Sequence, residues 1–268
     1  MILASASPLS LTLAIAAAGS YTVSAIGAAR LGTRTARVAV RLAWLLHGVL
    51  LAWSLFGVEP RFGFAPALSV TAWLVAAVYA VESHVYPLLQ TRWALSALGA
   101  VAVVLATLFP GTPLHANASP WLPLHWALGI ASYGLFGVAV VHAWFMTRTE
   151  ARIRHAADPH SGMPLLTMER LTFRFVAAGF MLLSATLLVG FLFEAQLYGA
   201  AHPVKWDHKT AFSILSWLTF AVLLVGRAQF GWRGKRAIRV LYIGSGLLLL
   251  AYVGSRFVME ILLGRAAA

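Results

Sequence analysis

The chain holds nine histidines and no cysteine among its 268 residues, so imidazole is the strongest metal-binding group available to it. Neutral imidazole is a preferred axial ligand of haem iron, and a pair on adjoining helices holds a b-type haem, haem b. Without a thiol the chain can neither keep nor exchange a disulfide, which leaves thiol reduction and thioether formation to partners. The histidines sort by depth relative to the apolar runs. His125 begins one run and His208 immediately precedes another on the same outer side, so the two can face one outer-leaflet cavity. His47 lies nine residues into a third run, about 13 Å along a helix and close to the bilayer middle. His142 follows His125 by 17 residues, about 25 Å and on a different face, so these two cannot clamp one iron. His84, His155 and His160 fall on the cytoplasmic side, and His115 and His202 in outer loops.

Around His208 the chain reads His202-Pro-Val-Lys-Trp-Asp-His-Lys-Thr210. Trp206 offers a flat apolar face for a macrocycle, Asp207 an acceptor that could fix the His208 ring, and Lys205 and Lys209 charges for propionates. The same residues also suit an ordinary helix start, with Asp207 as cap, Trp206 as interface anchor and the lysines snorkelling. Two readings of His125 and His208 stay open: axial ligation, or hydrogen bonding to loops and headgroups. For His47 the alternatives are a ligand at a deeper, transient site and a neutral ring bonded to a backbone carbonyl or Ser54.

The elements that must position these residues follow from composition. Hydrophobic residues make up 60% of the chain and charged residues 10%. No water-facing surface can be built around that much apolar side chain, so lipid is the solvent. Hydrocarbon satisfies no peptide group, and long runs without alternation exclude a barrel, so the expected fold is an all-α polytopic transmembrane bundle. Runs of spanning length lie near residues 9–29, 38–57, 66–86, 93–109, 122–146, 171–195, 210–227 and 237–262, about eight helices. The first follows an uncharged start and is expected to be a retained helix rather than a cleaved signal.

Lys and Arg set the orientation. Fifteen lie on one side, among them Arg30, Arg34, Arg37, Arg41, Arg92, Arg148, Arg170, Arg227 and Arg236, against Arg61, Lys205, Lys209, Arg256 and Arg265 on the other. This bias puts the first side in the cytoplasm and both termini outside it. It also accounts for the net charge of +12 without a nucleic-acid partner. An arginine-heavy, alanine-rich chain suits a bacterial inner membrane.

Two segments carry a resemblance. Trp206-Asp207-His208-Lys209-Thr210, followed by Ser216-Trp217 and a basic helix end at Arg227, resembles the W-D-x-K core of the tryptophan-rich haem-handling motif of the cytochrome c assembly protein family. Leu124-His125-Trp126 with Ala131-Ser132-Tyr133 is similar to that family's outer-side histidine with a Ser-Tyr step beyond it. The likeness covers roughly residues 36–262 and is nearest to a short eight-helix bacterial branch, HemX-like or YpjD-like, whose last helix ends as Gly254-Ser255-Arg256-Phe257-Val258-Met259-Glu260 does here.

What the resemblance implies is haem held on the outer side between two histidines, with His125 matching the first. The position of the second, near the outer end of the last helix, carries Arg256, Phe257 and Glu260 instead, and the tryptophan run before Trp206 is replaced by His202-Pro203-Val204-Lys205. His208 is therefore the candidate second ligand.

No metalloprotease helix motif, phosphate loop or paired carboxylates appear, so no enzyme is expected. The expected organisation is a first helix with its basic loop over 1–35, an assembly-like domain over 36–262 and a tail over 263–268. The expected function is haem handling or cytochrome c assembly. Haem would lie between the fifth and seventh helices against His125, His208, Trp206 and Asp207, with His47 marking a deeper site. Lipid, haem and other cytochrome maturation proteins or a membrane protein are the expected partners. The alternative is a haem-free accessory or scaffold subunit, for example of a transporter, in which Arg256 and Glu260 form a structural ion pair.

Overall fold

Helices occupy every apolar run, and several outlast the run that marks them. The computed structural model describes residues 8–27, 33–57, 59–85, 92–113, 121–154, 165–193, 208–258 and 261. Among these are α1 (Pro8–Gly27), α2 (Thr33–Phe56), α3 (Phe64–Val85), α4 (Arg92–Leu108), α5 (Trp121–Arg154), α6 (Leu165–Leu192), α7 (His208–Phe230) and α8 (Gly234–Leu249). α8 continues through a π-helical turn, Leu250–Gly254, into a last α turn, Ser255–Phe257. Seven of the described helices are long and apolar enough to cross a membrane, with α8 taken through Phe257. α4, at 17 residues, spans about 25 Å and sits at the lower limit. The chain is a multi-pass helical membrane protein.

α5 runs on to Arg154 and α6 begins at Leu165, both past the apolar runs. Hydropathy marks only the stretch in hydrocarbon, while Leu, Met, Arg and Glu are good helix formers that continue the ladder into water. The 34 residues of α5 make roughly 51 Å against a hydrocarbon core of about 30 Å.

The chain divides into two compact units, Met1–Leu114 with Arg256–Ala268, and His115–Ser255. In the first, α1 packs against α2 and α4, and α3 closes the ring against both. Ala14, Ala17, Tyr21 and Ser24 recur at helical spacing and form the buried face of α1. Small side chains permit the close approach that drives helix association in lipid. Trp44 and Trp73 stack at 4.7 Å between α2 and α3, and each indole donates to the other's backbone carbonyl, at 3.1 and 3.0 Å. A short antiparallel pair, Arg61–Phe62 with Thr112–Pro113, ties the α2–α3 turn to the segment after α4.

In the second unit α5 packs on α6, α6 on α7, α7 on α8 and α8 on α5, so α5 and α7 share a diagonal. Contacts run in opposite order along each sequential pair. On α5, His125 and His142 meet Thr186 and Phe175 of α6, and Trp121 meets Phe193 just past its end. On α7, Trp217 and Arg227 meet Ser184 and Glu169, while His208 and Ser216 meet Ser255 and Gly244. Sequential helices are therefore antiparallel, and α5 and α7 start at the same end. At the centre Phe136 and Phe220 stack across the diagonal at 3.8 Å. Gly179 and Gly244 make room for them: a Cβ would lie 3.1 Å from Phe136 and 2.9 Å from Phe220, respectively.

The charge bias becomes two unlike ends in this unit. Arg148, Arg152 and Arg154 close α5, Arg170 and Arg174 open α6, Arg227 closes α7, and Lys235, Arg236 and Arg239 open α8. There Arg227 pairs with the buried Glu169 and lies 3.9 Å over the Phe173 ring, a clasp between α6 and α7 that spacing did not announce. Gly231, at φ 62°, lets the chain reverse so that the Trp232 N–H donates to the Gly226 carbonyl at 3.1 Å. The opposite end carries His125, His208 and Lys209.

Candidate functional site

His125 sits one turn into α5. Its Nδ1 lies 3.1 Å from the Thr186 carbonyl of α6. A carbonyl only accepts, so Nδ1 carries the proton and, in the neutral ring, the lone pair is on Nε2. Nε2 has no partner among the described residues. Gly190, one turn beyond Thr186, leaves space for the ring, since a Cβ there would lie 3.2 Å from His125 Cε1. One turn nearer the chain's entrance to α5, Trp121 stacks on Phe193 at 4.0 Å. A histidine whose tautomer and orientation are fixed through Nδ1 by a backbone carbonyl is the usual supporting arrangement for a metal-ligating Nε2.

His208 is the first residue of α7 and is exposed. Its Nε2 lies 2.9 Å from Ser255 Oγ, just past the π turn. Serine can donate or accept, so the proton is on Nδ1 in one tautomer and on Nε2 in the other. Lys209 follows His208 in the first turn of α7, with its Nζ 6.0 Å from the Tyr252 ring.

Trp206 and Asp207, with Lys205 and His202, lie outside the described residues, as do His115, His155, His160, Glu260 and the side chain of His84. His47 belongs to the first unit and is fully buried. Its Nδ1 is 3.3 Å from Tyr21 Oη and its Nε2 2.8 Å from Ser69 Oγ. The expected partner, a backbone carbonyl or Ser54, gives way to hydroxyls from α1 and α3, because packed neighbouring helices reach the ring where its own helix does not. Both nitrogens are engaged in this packing. His142 is buried edge-on to Phe175 at 5.4 Å, well along α5 from His125.

Several residues around the histidines escape sequence reasoning. Thr186 acts through a main-chain oxygen, Gly190 through the absence of a side chain, and Ser255 through a helix turn of irregular pitch. Tyr133, two turns below His125, donates from its hydroxyl to the Leu248 carbonyl of α8. Only its place in the Ser-Tyr step gave a signal. Ser216 and Trp217 serve packing: Ser216 donates to the Gly244 carbonyl at 2.9 Å, and Trp217 to Ser184 at 2.8 Å.

Among the described residues no three His, Asp or Glu side chains converge as a metal site. A porphyrin brings four nitrogens of its own and asks of the protein only one or two axial imidazoles, the donor type that His125 and His208 carry.

Residues 36–263 match the family described as Cytochrome C assembly protein. The chain is 29% identical over 169 residues to the Inner membrane protein YpjD of Escherichia coli K12, covering 62% of this chain and 63% of that protein. It is 31% identical over 227 residues to a protein of Azospirillum brasilense called an uncharacterized 28.8 kDa protein in a nifR3-like 5′ region, covering 80% of this chain and 82% of the other. It is 24% identical over 228 residues to the Cytochrome c biogenesis protein CcsA of Prochlorococcus marinus subsp. pastoris, covering 81% and 69%. The match thus spans under two thirds of the Escherichia coli protein's length. No solved structure matches the chain.

Proposed function

Because this chain belongs to the cytochrome c assembly protein family, we propose that it handles haem for cytochrome c assembly in a bacterial inner membrane, holding the macrocycle at the histidine end of its second unit. The observation that carries this reading is the Nδ1 bond from His125 to the Thr186 carbonyl, which leaves Nε2 as a presented lone pair. His125 would supply one axial ligand. His208, at the mouth of the parallel helix α7, would supply the other from the same end. Lys209 suits a propionate, and the sequence motif adds Lys205, Trp206 and Asp207 as candidates for the same task. When bound, haem supplies an iron whose axial positions these imidazoles fill. The protein's own part is to hold, orient and release it. The names of the relatives, one an inner membrane protein and one a cytochrome c biogenesis protein, agree in kind with this reading.

A second reading, a haem-free scaffold or accessory subunit, draws on the engagement of His208 with Ser255 and on Arg256 standing where the family's second outer histidine is expected. A reduced-minus-oxidised optical spectrum of protein purified in detergent and reconstituted with haem separates the two. Haem ligation predicts Soret and α bands that His125→Ala abolishes and His208→Ala shifts, while His47→Ala leaves them in place. Absence of pigment in the unmodified chain would favour the scaffold.

A further inference from the structure

The last helix turns π-helical just after Leu249, and a side chain from another helix reaches it there. Across Leu250–Gly254 the ladder is π-helical, and the Ser255 N–H reaches back five residues to the Leu250 carbonyl. In a regular α-helix the Leu248 carbonyl accepts from the Tyr252 N–H. Here the Tyr133 hydroxyl donates to that carbonyl. One phenol therefore stands at the acceptor end of that rung of the ladder. A side chain inserted into the i→i−4 ladder is a recognised cause of such a break, and an inserted residue turns everything beyond it by about 100° relative to an unbroken helix.

Ser255 is the first residue after that turn, and its hydroxyl meets His208 Nε2 at 2.9 Å. We propose that Tyr133 is a positioning residue: by engaging the Leu248 carbonyl it holds the π turn open and thereby delivers Ser255 to His208. Tyr133 touches neither histidine ring. It acts through the pitch of α8, and so links the interior of α5 to the mouth of α7. The significance of this link rests on the reading of His208 as a haem-site residue, but the link itself is a property of the packing. With the phenol removed, the turn can close to regular α-helix, and Ser255 swings off His208.

The chain has no cysteine, so engineered thiols are the only ones present. His208→Cys with Ser255→Cys, treated with a short bifunctional methanethiosulfonate reagent, reports the 208–255 contact without haem. The link is expected to form in the Tyr133 background and to be lost with Tyr133→Phe. Deleting Val253 from the Tyr133→Phe chain is expected to restore it, because a helix past a π turn has the register of an α-helix one residue shorter. This rescue also shows that the Phe variant still folds. A link that survives Tyr133→Phe, or that the deletion does not restore, overturns the proposal. A parallel arm keeps His208 and Ser255 and records the spectrum of haem-reconstituted Tyr133→Phe, where a changed axial-ligation signature is expected with His125 ligation retained. Loss of the link in a chain that binds no haem would sink the haem reading and leave the positioning role standing. Normal haem with an unchanged link would do the reverse.

Discussion

One hydrogen bond separates His125 from an ordinary interfacial histidine. The sequence left two roles open for it, and the Thr186 carbonyl bears on the choice by fixing which nitrogen carries the proton. No pattern of residue types could reveal this, because the partner is a main-chain oxygen on another helix. Gly190 is equally silent in sequence, one glycine among 22, yet it borders the imidazole. Gly190→Val should push the ring off the Thr186 carbonyl and weaken haem binding by roughly tenfold, the lower end of the effect of losing a supporting partner. Haem titration checks this, and unchanged affinity would show that the ring's orientation does not matter. His47 teaches the opposite lesson. Its depth marked it as needing partners, and depth was legible, but which hydroxyls it met depended on α1 and α3 packing beside α2.

At the scale of the element, apolar runs located all eight described helices, and prolines and charges near their ends explain most limits. The extensions of α5 and α6 were not legible, since hydropathy fades where the helix leaves lipid although its backbone bonding continues. Nor was the π turn in α8: Leu250–Gly254 reads as unremarkable apolar helix, and its pitch depends on a phenol from 117 positions earlier at the nearest point (250 − 133). The stacked Phe136–Phe220 pair shows how packing across a diagonal depends on absent side chains. Gly244→Val would drive a branched side chain into Phe220 and is expected to destabilise the second unit by about 1–3 kcal/mol, the usual cost of overpacking. A lowered melting temperature in detergent would register it. An unchanged one would mean that α7 and α8 can separate freely.

For the whole molecule, the fifteen-to-five distribution of Lys and Arg gave an orientation, and the second unit gathers its arginines at the end away from His125 and His208. The proposed topology, with that end in the cytoplasm, can be read with single thiols in this cysteine-free chain. Arg61→Cys should react with an impermeant maleimide on intact spheroplasts and Arg236→Cys only after permeabilisation. The reverse pattern would put the histidines on the cytoplasmic side and remove the case for an outer haem site. The division into two compact units was not legible, because it reflects which helices pack together rather than any break in composition. Most direct for the account as a whole is the optical spectrum of haem-reconstituted His125→Gly, recorded without and with added imidazole. The account predicts that the Soret and α bands disappear in the variant and return when free imidazole fills the vacated axial position. Bands that persist in the variant without imidazole would contradict it.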